Sequence, residues 1–77
     1  MLKLTRVFVE RLRVDEDAGT DEVSLKIEDI QSMETMEVSN FKGEKREITR
    51  IHLHGSVFPV YVKETTMEIA KRMFENR

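Results

Sequence analysis

Near its C-terminal end the chain reads "VFPVYVKETTMEIAKRMF", a β-branched and aromatic run that gives way to a helix signal within four residues. Thr65, Thr66, Met67 and Glu68 have capping-box spacing: the Thr65 hydroxyl can accept from the amide three residues on, and the Glu68 side chain can reach back. Ile69, Ala70, Met73 and Phe74 then recur as an apolar stripe. Glu68 with Arg72, and Lys71 with Glu75, stand four apart in the favourable order. A strand that turns directly into one amphipathic helix has to lay that helix on the sheet it has just left. Ile69, Met73 and Phe74 are therefore expected to pack on Val60, Val62 and Leu53. Pro59 cannot donate to a ladder, which predicts an edge strand or a bulge for residues 57–62.

The remaining segments supply the sheet. "MLKLTRVFVERLRV" places Leu2, Leu4, Phe8, Leu12 and Val14 on one parity and reads as a strand, with a helical alternative through Leu4, Phe8 and Leu12. "DEDAGTDE" reads as a charged loop. "EVSLKI" alternates Val23, Leu25 and Ile27 against Ser24 and Lys26. A turn at Glu28 and Asp29 followed by a strand to Val38 accounts for the next apolar positions. "SNFKGEKRE" is a hairpin loop centred on Gly43. In "EITRIHLHG", Thr49, Ile51 and Leu53 oppose Ile48, Arg50, His52 and His54. The predicted fold class is α+β: a small antiparallel meander of four to five strands with one C-terminal α-helix packed on it. Residues 1–77 are read as a single domain.

A chain of 77 residues buries only roughly 60–65 % of the surface it exposes when unfolded, so self-association is expected. It has no cysteine, which leaves no disulfide or thiolate metal site and fits a reducing, cytoplasmic setting. No run has the length or apolarity of a membrane span, and no membrane insertion is expected. Thirteen Lys plus Arg against fifteen Asp plus Glu give a formal charge of −2. Bulk charge therefore does not favour nucleic acid, whose binding is dominated by phosphate neutralisation.

Two basic groups stand out. Lys42, Lys45, Arg46 and Arg50 follow one another in and after the hairpin loop, and Lys3, Arg6, Arg11 and Arg13 lie near the start. His52 and His54 would share one side of a strand with Arg50. Two imidazoles in that register could hold a metal only with further ligands, of which Glu64 is the one candidate, and a solvated strand face is the simpler reading. Lys42, Lys45, Arg46, Arg50, His52 and His54 are accordingly taken as candidate partner-binding residues. Met33, Met36, Met67 and Met73 read as core fillers or as an adaptable contact surface. There is no Gly-rich phosphate loop, nucleophile elbow or His-Glu-x-x-His, so neither catalysis nor a cofactor is expected.

Leu4, Thr5 and Arg6 at the start, Ile27 and Ile30 with Met33, Thr49, Ile51, Leu53 and Gly55, and Val62, Glu64, Glu68 and Ile69 together make a pattern. With these residues the chain resembles the FlbD/SwrD family of small bacterial motility proteins, similar chains of which occur in phage genomes. The likeness spans about half the chain (in a general structural sense of a strand-and-helix grammar); "VERLRVDEDAGTDE" and residues 40–47 lengthen it. The resemblance implies a non-enzymatic accessory factor that binds a protein partner. A second likeness, to the carbon-storage-regulator RNA-binding proteins, rests on the Met-Leu-x-Leu-Thr-Arg opening and the strand-to-helix ending. It implies the alternative of a small RNA- or DNA-binding regulator, with Leu4 and Arg6 on the binding face.

Overall fold

In the computed structural model, which describes residues 1–75, the strands are β1 (Leu2–Val7), β2 (Val9–Glu10), β3 (Arg13–Val14), β4 (Thr20–Leu25), β5 (Ile30–Asn40), β6 (Lys45–Leu53) and β7 (Val60–Val62). One helix, α1 (Thr66–Glu75), follows them. The strands form one seven-stranded sheet in the order β2-β3-β5-β6-β7-β1-β4. The α+β class holds, with a sheet larger than the predicted four to five strands. It is also mixed: β3 runs parallel to β5, with Arg13 opposite Ser39 and Val14 opposite Asn40.

The first segment explains the difference. It is extended, but it does not stay in one line. β1 pairs with β4 and β7, and after Phe8 the same chain re-enters the sheet as β2 beside β3. In a flat sheet β2 and β1 would stand five strand spacings apart, about 24 Å. A single intervening residue reaches no more than about 7–11 Å. The sheet must therefore curl, and the Asp15 amide donates to the Phe8 carbonyl at 2.7 Å across the bend. Val7 and Val9 consequently pack with buried Val14, Val38 and Ile48, together with Met36 and Tyr61. Phe8 and Leu12, expected on the core parity, are exposed; Leu12 sits in the two-residue β2–β3 turn.

A second cluster fills the other face. Leu2, Leu4, Leu25, Ile51, Val62 and Ile69 are buried together, with Met33, Leu53, Val60 and Met73 against them. Both faces of β6 are thus covered, since Ile48 faces one cluster and Ile51 the other. Helix α1 closes this second face through Ile69 and Met73, as its stripe predicts. Phe74 does not join them and is 74 % exposed. Of the four methionines read as core fillers or contact surface, Met67 is likewise exposed.

The Thr65 half of the capping box forms, the Glu68 amide donating to Thr65 Oγ1 at 3.2 Å, and the Glu68 carboxylate reaches back to accept from the Thr65 hydroxyl at 3.4 Å. The helix is further held from β5, where Thr35 Oγ1 accepts from the Thr66 amide and donates to Thr66 Oγ1. The segment predicted as a charged loop is a short 3-10 turn, Glu16–Ala18, followed by β4; Thr20, Asp21 and Glu22 are already strand. Residues 57–59 are not strand. β7 begins after Pro59 and lies between β6 and β1 inside the sheet, so Pro59 precedes an interior strand instead of marking an edge.

Candidate partner-binding surface

The six residues singled out in the sequence do not form one patch. Alternation along β6 puts Arg46, Arg50 and His52 on the face away from α1, where they are opposite Val38, Glu34 and Ser32 of β5. Lys45 takes the opposite parity. Lys42 sits at the hairpin tip, and His54 has left the strand for a turn, its amide donating to the Asp29 carbonyl at 2.8 Å. His52 and His54 therefore do not share a strand face. Among the described residues no group of His, Asp and Glu is arranged to hold a metal ion.

The basic residues carry their own carboxylates. Arg50 is bonded to Glu34, and that contact together with Tyr61 raises its pKa. Arg46 Nε donates to Glu16 at 3.1 Å, and its guanidinium lies 3.6 Å from Glu44. Lys45 approaches Glu37 at 3.6 Å, and Arg6 meets Asp21 at 2.6 Å while its guanidinium stands 5.0 Å from the Phe8 ring centre. The Glu16 carboxyl titrates below its usual range, chiefly because the Asn40 amide donates to it and secondarily because Arg46 does.

Asn40 organises this end of the molecule. It is buried, its side-chain amide donates to Glu16 and Glu44, and its side-chain oxygen accepts from the amides of Lys42 and Glu44 at 3.0 and 2.8 Å. All the hydrogen-bonding capacity of that amide group is used. Beside it an open cleft of about 450 Å³ runs between the end of β1 and the start of β6, with Val7, Val14 and Ile48 on its floor and Arg46, Glu47 and Lys63 on its rim.

The opposite end of β6 is built differently. Gly55 (φ 77°) turns the chain, the Ser56 amide donates to the Leu53 carbonyl, and Ser56 Oγ donates to the Phe58 carbonyl at 2.9 Å. The loop is thus tied to itself, yet its two large side chains face solvent: Val57 is 87 % and Phe58 79 % exposed. Neither was singled out from the sequence, where they read as the start of a strand. The clue lay in Gly55, Ser56 and Pro59 crowding into five positions, which leaves no room for a regular strand.

Five residues beyond Pro59 the logic inverts. Glu64 is a carboxylate only 6 % exposed. It accepts from the Thr5 amide and Thr5 hydroxyl, each at 2.9 Å, and from Arg72 at 3.2 Å; Arg72 also donates to the Lys3 carbonyl. Burial pushes the Glu64 carboxyl up, but the Thr5 donors and the Arg72 charge outweigh it and hold it below its usual range. Glu64 joins β1, the end of β7 and α1, and Thr49 Oγ1 adds a 2.6 Å bond to its carbonyl. This carboxylate is a structural tie among the three elements.

Among the described residues no helix is long and apolar enough to cross a membrane. Comparison of the chain with family models, with curated proteins and with solved structures finds no match.

Proposed function

We propose that this protein is a non-enzymatic accessory module, of bacterial or phage origin and cytoplasmic, that acts by binding another protein and by associating with itself. One observation carries the reading. Val57 and Phe58 are adjacent, large, apolar and almost fully exposed, and they are held on a loop that its own hydrogen bonds keep in shape. Scattered exposed apolar residues are ordinary, but a preordered and almost fully exposed phenylalanine is a residue type enriched at interface cores. Rigid presentation also lowers the entropy lost on docking. His52 and His54 border this loop, so two of the six expected partner-binding residues share an end of the molecule with the apolar tip, while Lys42, Lys45 and Arg46 lie at the other end of β6. The likeness to small motility-associated accessory proteins supports the same class of function.

The alternative, binding of RNA or DNA, is weaker on electrostatic grounds. Arg6, Arg46 and Arg50 each have a carboxylate in contact, and a phosphate would have to compete with it. Affinity capture with the purified protein, from an extract of the organism that encodes it, separates the readings. A protein retained by the wild type and lost with Phe58→Ser supports the proposal. Capture unaffected by Phe58→Ser, together with salt-sensitive binding of mixed oligonucleotides that Arg50→Ala weakens, would replace it with the nucleic-acid reading.

A further inference from the structure

The two edges of the sheet are unequal. β2 is two residues long, whereas β4 (Thr20–Leu25) is six and, among the described residues, pairs only with β1. Which backbone groups of β4 face outward follows from β1. The Thr5 amide and carbonyl both point towards β7, the one bonded to Glu64 and the other accepting from the Lys63 amide at 2.8 Å. Strand alternation then aims the backbone of Leu2, Leu4 and Arg6 at β4, where they face Leu25, Val23 and Asp21. The amides and carbonyls of Glu22 and Ser24 therefore point outward. Lys26 continues the same extended geometry, with φ −82° and ψ 132°, so its amide points outward as well.

Charges on an edge usually prevent strand addition. Here they select one register. In an antiparallel pairing of two copies about a two-fold axis, the residues opposite each other share parity. Centring the axis on Glu22 sets two carboxylates face to face. Centring it on Val23 sets Asp21 against Leu25. Centring it on Ser24 sets Glu22 opposite Lys26 of the second copy, twice over, and Val23 opposite Leu25 on the face of the apolar core. Glu22 and Lys26 are both exposed, and no ion pair within the chain engages them among the described residues. Ser24 would exchange both of its backbone bonds with its equivalent, and the Lys26 amide would donate to the Glu22 carbonyl of the second copy. The Lys26 carbonyl already accepts from Asp29 at 3.0 Å and need not take part.

We infer that the β4 edge is a self-association surface, through which two copies pair antiparallel about Ser24 with Glu22 of each against Lys26 of the other. This rests on the self-association part of the proposed function and gives it a place. It is independent of the Val57–Phe58 loop, so a dimer would present two partner-binding tips.

Sedimentation equilibrium of the full chain tests the inference. The wild type is expected to dimerise. Glu22→Lys alone and Lys26→Glu alone should each weaken the dimer by roughly tenfold or more, since each sets like charges opposite each other at two symmetric places. The double reversal should return to near wild-type affinity. Ser24→Cys, in a chain with no other cysteine, should oxidise to a covalent dimer, because the expected Cα separation of about 5.5 Å lies within the disulfide range; Lys71→Cys on the helix should not. Far-UV circular dichroism of each variant checks that it folds. A wild type that stays monomeric at millimolar concentration overturns both this surface and the self-association reading. A dimer indifferent to the reversals, or a double variant as weak as the singles, overturns this surface alone and leaves self-association standing.

Discussion

Two short segments flank β7, and they treat polarity in opposite ways. Before the strand, Val57 and Phe58 put apolar surface into water; after it, Glu64 puts a carboxylate under the helix. The buried charge has a donor for each of its oxygens, from Thr5 and from Arg72. The exposed pair sits on a loop whose bonds hold the backbone and leave the side chains outside. A buried charge that is fully bonded is part of the fold, because removing it strands its partners. An exposed apolar pair contributes little to the fold, and its cost in water is relieved only when something covers it. The contrast separates what keeps this protein together from what it shows to others.

The largest expected effect is therefore at the buried side of the comparison. Glu64→Ala should cost about 3 kcal/mol and lower the Tm by roughly 15 °C, because the Thr5 amide and hydroxyl lose a charged acceptor. Thermal unfolding followed at 222 nm measures it. The same carboxylate sets an acid limb. Its folded pKa lies below the unfolded value, so its contribution is fully present above the unfolded range near 4.5 and is lost as pH falls through the folded pKa. Urea unfolding of the wild type should weaken steeply below pH 4.5, and Glu64→Gln should show a shallower slope there.

Asn40 repeats the rule at the other end of β6, with a neutral group. Asn40→Ala should cost about 2 kcal/mol by urea unfolding, since it leaves the Lys42 and Glu44 amides and the Glu16 carboxylate without that partner.

The β2–β3 turn sharpens the comparison with a gain. Arg11 and Leu12 both adopt positive φ, 51° and 63°, the geometry of a two-residue turn that favours Asn-Gly. The double change Arg11→Asn and Leu12→Gly should stabilise by about 1 kcal/mol, the relieved strain being partly offset by a more flexible unfolded chain. Calorimetry reads this as a higher Tm. The smallest effect on stability belongs to the exposed pair: Phe58→Ser should stay within about 0.5 kcal/mol of the wild type in urea.

Local signals were legible in the sequence. Thr65 and Glu68 marked the start of the helix, Val23 and Leu25 marked β4, and Gly43 marked the β5–β6 hairpin, each through contacts only a few residues long. The parity of Thr49, Ile51 and Leu53 was also readable, although Ile48 on the other parity is buried too because the sheet curls over it. What could not be read depends on distant partners. The bend at Phe8 serves a pairing of β3 with β5 some 26 positions on (Arg13 with Ser39), and nothing local announces it. Lys42, Lys45, Arg46 and Arg50 read as a basic cluster because Glu37, Glu16 and Glu34, which meet Lys45, Arg46 and Arg50, come from elsewhere in the chain. Glu64 read as a candidate companion to His52 and His54 at a strand end, and only the approach of Thr5 and Arg72 makes it an interior carboxylate.

A photo-crosslinking residue placed at position 58 probes the division between fold and display most directly, with the same residue at position 71 on the outer face of α1 as its counterpart. Irradiation in the native extract should yield a discrete adduct with another protein from position 58 and none from position 71. Adducts of equal yield from both positions, or none from 58, would contradict the assignment of the Val57–Phe58 tip as the contact surface.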